Sequence, residues 1–160
     1  MAIRIIVMDP DPVLREKAKP VTKFNSSLHK LLDDMADTMY ENEGVGLAAP
    51  QVGILKRAIV MDVGDEHGLI ELVNPEIVAT SGEQIGPEGC LSITDLQGDV
   101  RRPMNVTVKG QDRNGNEVIV EGTELLARCI MHEVDHLNGI LFTDLALKLY
   151  RNELEENGDR

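Results

Sequence analysis

Residues 123–137 read as a helix that cannot lie on a surface, and no other segment constrains the fold as tightly. Leu125, Cys129, His132 and His136 fall on one stripe of it, and Leu126, Ile130, Glu133 and Leu137 on the neighbouring stripe. Two adjacent apolar stripes turn a helix inward. Yet His132, Glu133 and His136 interrupt that surface, and burying three such groups without partners costs several kcal/mol. The fold must therefore bring partners, or an ion, to its own interior. Thr123 is placed to cap this helix and Asn138-Gly139 to stop it.

At 3.6 residues per turn, positions four apart share a face, so both imidazoles of His132-Glu133-Val134-Asp135-His136 can reach one ion. Glu133 is offset from His132 by about 100°. That suits a base that touches metal-bound water without taking a ligand position. The plainer reading is two core histidines that happen to lie four apart; the apolar setting weighs against it. A catalytic site normally has three protein ligands and an open position. Two thiols compete for the third place. Cys129 lies about 10.5 Å of helix rise from His136, which makes a shared ion hard to build, and it reads better as small core filler. Cys90 sits in Glu88-Gly89-Cys90-Leu91-Ser92, a glycine-flanked bend entering an apolar run, and is the stronger candidate.

Elsewhere the pattern is that of a mixed domain. Asp11-Pro12 opens a short helix through Val13, Leu14 and Lys17, ended by Pro20. A second helix starts near Asn25 or Ser26, with Leu28, Leu31, Leu32, Met35 and Met39 as its apolar stripe. Gly44-Val45-Gly46-Leu47-Ala48-Ala49-Pro50-Gln51 then leaves backbone bare for close approach. Strands are expected at 57–63, 71–73 and 76–80, the last two broken by Asn74-Pro75. A hairpin joins 105–110 to 117–121 through an Asn114-Gly115 turn. Residues 145–154 predict a further amphipathic helix before the polar tail 155–160. Helices flanking short strands make this an α+β fold, expected to form one domain over 1–160.

Composition narrows the function. Aromatics are 2% with no Trp, so the core must be aliphatic, helped by seven Met. A net charge of −12 excludes broad electrostatic binding to nucleic acid or anionic membrane, and no stretch approaches the ~18 apolar residues of a membrane span. Two cysteines make no disulfide framework. Asp9 and Asp11 follow the first apolar run too closely for a secretory or transit segment. The expectation is a cytoplasmic protein with reduced thiols.

The segments Gly44-Val45-Gly46-Leu47-Ala48-Ala49-Pro50-Gln51, Glu88-Gly89-Cys90-Leu91-Ser92 and His132-Glu133-Val134-Asp135-His136-Leu137 resemble, in order and spacing, the three signature blocks of the peptide deformylases. The likeness runs from Pro12-Val13-Leu14-Arg15 to Gly139-Ile140-Leu141-Phe142. It implies antiparallel or mixed sheets around a central helix carrying the His-Glu-x-x-His motif, flanked by N- and C-terminal helices. It implies removal of the N-formyl group from the formylmethionine of new polypeptides, with formate released. Cys90, His132 and His136 would hold one divalent ion, commonly ferrous iron, with zinc, nickel or cobalt also accepted. Hydroxide generated at the ion would attack the formyl carbon, with Glu133 as general acid/base. The Gln51 amide and the Leu91 N–H would meet the oxyanion. Gly44, Val45, Gly46, Gly89 and Cys129 would line the substrate site, the glycines allowing substrate backbone to pair like an added strand. The expected partners are formylmethionyl peptides and nascent chains.

Three departures stand out. Met131 replaces a frequent Gln, with no expected effect on the chemistry. Arg128 stands where an apolar residue often lines the methionine pocket, and its stem is expected to pack there with the charge snorkelling outward. Some relatives touch the ribosome through a basic C-terminal helix; the acidic tail here does not support that contact. The remaining readings are a metallopeptidase and an inactive metal-binding module on the same fold.

Overall fold

The computed structural model describes residues 2–151. A 3-10 turn at Pro12–Arg15 precedes helix α1 (Ser26–Glu41). Strand β1 (Gly46–Ala48), a second 3-10 turn (Ala49–Val52), β2 (Ala58–Met61) and the long β3 (Ile70–Ser81) follow. Two hairpins come next, β4 (Gln84–Cys90) with β5 (Ile93–Arg102) and β6 (Asn105–Gln111) with β7 (Glu117–Thr123). Helix α2 (Leu125–Leu137), the single turn α3 (Phe142–Leu145) and β8 (Lys148–Arg151) complete the described chain.

The larger sheet has the order β1-β2-β3-β6-β7 and the smaller β4-β5-β8, and all their pairings are antiparallel. Every residue of β2 is buried. With a side-chain period of two, Ile59 and Met61 face α2, where they meet Leu126, Ile130 and Leu137. Ala58 and Val60 face the stripe of α1, including Leu32, Met35 and Met39. The larger sheet is thus covered on both faces. Helix α2 lies against it and also reaches β5 of the smaller sheet.

Several expectations need correction. The break at Asn74-Pro75 does not end a strand: β3 continues through it, with a register shift between Val73 and Glu76. Asn tolerates the left-handed backbone found there (φ 52), and Pro fits a bulge because it has no N–H to place in the ladder. The Asn74 side chain binds both backbone groups of Val21 (2.8 and 2.9 Å) and Gln111 Oε1 (2.7 Å). Thr123 does not cap α2; it ends β7, and Glu124 precedes the helix at φ 53 with its N–H on Met104 O. The first helix shrinks to the turn Pro12–Arg15, where the Asp11 carboxylate accepts from Val13 N (3.0 Å). The hairpin turn spans three residues, Arg113 to Gly115, and only Gly115 takes the left-handed conformation (φ 87).

The largest correction concerns 145–154. Among the described residues of that stretch only Leu145, the last of α3, is helical, and Lys148–Arg151 pairs with β5 instead, with Tyr150 Oη donating to Asp99 Oδ1 (3.1 Å). Residues 152–154 and the tail 155–160 lie outside the described residues. Strands β4 and β5 were not expected from the sequence at all.

Candidate metal centre

Helix α2 presents His132 and His136 one turn apart, and their Nε2 atoms lie 3.2 Å from each other. Cys90 closes the triangle. It ends β4 and pairs with Ile93 across the two-residue turn Leu91-Ser92, which brings its Sγ to 3.4 Å from His136 Nε2. All three donor atoms lie within 4.8 Å of one another. One tetrahedral ion at bond lengths of ~2.0–2.3 Å needs donor separations of this size. The electrostatics agree: burial pushes the His132 ring toward neutrality, but Cys90, Glu88 and Glu133 outweigh it and hold its pKa well above the ordinary value. A point whose surroundings favour positive charge suits a cation. Burial and the neighbouring His132 hold His136 well below its ordinary range, so that ring is neutral and keeps a lone pair to give. A thiol and two imidazoles are donors that zinc, ferrous iron, cobalt and nickel all accept. The residues fit the group.

The donors are themselves held. His132 Nδ1 donates to Glu88 Oε1 (2.8 Å), fixing the tautomer that frees Nε2. Arg102 grips Glu88 with two parallel bonds (2.8 and 2.9 Å) and reaches Asp135 with a third (2.7 Å). Burial alone would raise the Glu88 carboxyl, but hydrogen bonds from Arg102 and His132 prevail and hold its pKa at about 2. Phe142 stacks beside the His132 ring at 6.2 Å. The Cys90 sulfur accepts from Ser92 N (3.4 Å) and Gln51 Nε2 (3.5 Å).

Glu133 stands beside the triangle, 4% exposed, and burial pushes its carboxyl up to about 7 against the pull of His132. Its Oε1 has no partner among the described residues. Its Oε2 lies against Gly46, where an added Cβ would collide with it and come within 2.8 Å of Cys129 Sγ. A cleft of about 510 Å³ opens onto Glu133, His132 and Cys90. One wall is Gly44-Val45-Gly46, leading into β1, and the other runs from Pro87 to Leu91 at the end of β4. Both strands are sheet edges.

The model of one family, described as polypeptide deformylase, matches residues 3–152. The chain belongs to the polypeptide deformylase family. A peptide deformylase of Alkaliphilus metalliredigens is 60% identical over 148 residues, 92% of this chain and 99% of that one. The crystal structure of peptide deformylase from Thermotoga maritima superposes with a TM-score of 0.89 at 43% identity, covering 92% of this chain and all of that one. A Legionella pneumophila peptide deformylase gives 0.87 at 50% identity, covering 90% and 86%. Deformylases are metal-dependent enzymes, and the α+β arrangement of antiparallel sheets about α2 is theirs.

The three segments that resemble the deformylase signatures meet in this one place. Cys90, His132 and His136 form the triangle, Glu133 flanks it, and Gln51 lies against the sulfur, bonded also to Ser92 Oγ (3.1 Å) and Ala48 N (3.0 Å). Leu91 is at the turn beneath the cleft, with Gly44 against its side chain. Val45, Gly46, Gly89 and Cys129 line the walls. Cys129 is also core filler, buried among Ile130 and Ala48, and its thiol donates to Val45 O (3.4 Å). Arg128 departs from expectation. Its charge turns inward, to Glu88 Oε2 at 2.7 Å, and the residue is 7% exposed.

The sequence reading missed the roles of Glu88, Arg102, Asp135 and Ser92. Glu88 had only a weak signal, a carboxylate two residues before a ligand candidate, because β4 itself was not expected and its ladder slips between Glu88 and Cys90. Arg102 had none, since only the β4–β5 register brings it near.

Proposed function

We infer that this protein removes the N-formyl group from the formylmethionine that begins new polypeptides, releasing formate. The observation that carries the reading is the convergence of Cys90, His132 and His136 beside a buried Glu133, at the floor of a cleft between two free strand edges.

Cys90 Sγ and the two Nε2 atoms would hold one divalent ion, which when bound supplies a Lewis acid that polarises the formyl carbonyl and makes water acidic. Ferrous iron is the ion we propose in the cell, since a thiolate with two imidazoles accepts it and availability decides among metals. Glu133, with a carboxyl near 7, can take a proton from water and return it to the departing amine at neutral pH. Leu91 N–H is left out of the ladder by the two-residue turn and is free to donate to the oxyanion. Gln51 Nε2 has one long contact, to sulfur, that it can exchange for the same oxyanion. The substrate backbone can lie extended between β1 and the end of β4, pairing with either edge.

We place the reaction in the cytoplasm, where Cys90 stays reduced; both cysteines are free, and no described helix is long and apolar enough to cross a membrane. One catalytic domain over 1–160 suits a family match that spans 3–152. Nascent chains are the natural partners; the acidic composition of 153–160 gives no support to ribosomal docking.

Protein purified without oxygen and loaded with one equivalent of Fe²⁺ or Ni²⁺ should release formate from N-formyl-Met-Ala-Ser. Glu133→Ala should keep the metal and lose nearly all turnover. Cleavage of internal peptide bonds without formate release would establish a metallopeptidase instead. Metal at unit stoichiometry with no hydrolysis of any acylated peptide would mean an inactive module.

A further inference from the structure

Arg128 lines the cleft wall, and its charge is committed inward. Its Nη1 donates to Glu88 Oε2 (2.7 Å), Val100 O (3.0 Å) and Gly86 O (3.2 Å), so three acceptors share one nitrogen. Its Nη2 is buried with no partner among the described residues. A Cβ at position 86 would lie 3.2 Å from that nitrogen, so a side chain there would press on the guanidinium. A guanidinium buried with one nitrogen unpaired carries a desolvation cost that its bonds to Glu88 and two carbonyls have to offset.

The position closes a ring. Arg128 and His132 sit one turn apart on α2, and Glu88 on β4 touches both, through Oε2 and Oε1 respectively. Arg102 holds the same carboxylate from β5 and reaches α2 three residues beyond His132, at Asp135. Arg102 already binds both oxygens of Glu88, but from β5; Arg128 adds the bond that ties the carboxylate to α2 itself, one turn before His132. With it, the carboxylate is gripped on both sides of the histidine.

We propose that Arg128 is a positioning residue for the metal centre: by clamping Glu88 to the helix that carries His132, it fixes the imidazole that binds the ion. This rests on the reading of Cys90, His132 and His136 as metal ligands. The competing role is that of a wall residue selecting the first side chain of the substrate.

The test uses the full chain loaded with Co²⁺ and challenged with excess chelator, with the visible absorption of the bound cobalt as the signal. Arg128→Met keeps the stem and removes the charge, and should lose metal several-fold faster, short of the roughly 10- to 100-fold that follows loss of a ligand's own hydrogen-bond partner. Its cobalt spectrum should change, while KM for formyl-Met-Ala-Ser stays within about twofold when the metal is replenished. Arg128→Lys keeps a charge that can reach one carboxylate oxygen and should recover much of the retention. Gly86→Ala crowds Nη2 and should speed metal loss modestly, yet add nothing in the Arg128→Met background, because the two act through one contact. Arg128→Lys and Gly86→Ala, each alone, keep the test open if Arg128→Met fails to fold: metal loss unchanged in Gly86→Ala and undiminished retention defects in Arg128→Lys overturn the proposal. Unchanged metal loss in Arg128→Met, with altered KM across peptides of different first residue, overturns the proposal in favour of a wall role. Additive losses from the two substitutions overturn it as well. If the unsubstituted protein holds no cobalt at its thiol and imidazoles, the metal centre itself falls, and this proposal with it.

Discussion

Glu133 shows how one side chain is set by what surrounds it. Its carboxyl is raised to about 7 chiefly by burial, from an ordinary value of 4.5. In metal-free protein the folded state therefore holds a proton that the unfolded state has lost, throughout the range between those values. Folding stability is undiminished by this group below pH 4.5 and falls as pH rises to 7. Glu133→Gln should stabilise the metal-free protein at pH 8 by up to ~3 kcal/mol, each pKa unit being worth ~1.4 kcal/mol, and leave it unchanged at pH 4. Urea titrations at the two pH values check this; a gain of equal size at pH 4 would show that burial is not the cause. The same carboxylate explains Gly46. A methyl there must displace Glu133 Oε2 or the Cys129 thiol. We expect Gly46→Ala to lower kcat for formate release by at least ~10-fold, equivalent to ~1.4 kcal/mol, while the metal content stays at one equivalent.

Among the elements, β3 carries a left-handed residue in its interior, and side-chain bonds hold it. Asn74 combines a left-handed backbone with bonds from its side chain to Val21 and Gln111. Asn74→Gly should cost ~2 kcal/mol through the lost hydrogen bonds. Asn74→Ala should cost ~1 kcal/mol more, because alanine resists φ 52. Equal losses in denaturant unfolding would mean that the bulge relaxes when the bonds go. Helix α2 is an element of a different kind. Its start is set by tertiary contact rather than by a capping side chain, since Glu124 N–H is taken by Met104 O. Its end is set locally by Asn138 and by Gly139 at φ 74.

On the scale of the molecule, the larger sheet separates two hydrophobic compartments with different duties. Leu32 lies on the α1 side and Ile130 on the α2 side, both fully buried. Truncating either to alanine should cost ~2–5 kcal/mol. Only Ile130→Ala should also speed metal loss to a chelator, because α2 carries two of the three donors and α1 carries none. Loss of metal from Leu32→Ala at equal rate, measured well below its melting temperature, would show the sheet to be no barrier between the compartments. The smaller sheet completes the centre by delivering Cys90, Glu88 and Arg102 to the buried His132–His136 turn of that helix.

What the sequence determined by itself was local. The spacing of His132 and His136, the inward stripes of their helix, the stripe of α1 and the hairpin at Gly115 all follow from periods of 3.6 or 2, or from one residue's φ. The distance along one helix sufficed to disfavour Cys129 as a ligand. Tertiary structure decided the rest. Strands β4 and β5 line a cleft and carry glycine, proline and charge where alternation would have marked them. Residues 148–151 carry a pattern that reads as helix, and the ladder with β5 makes them a strand instead. Glu88, Arg102 and Arg128 come from three elements and meet only through strand register and helix packing, and no period along the chain records a contact across 14 or 40 residues.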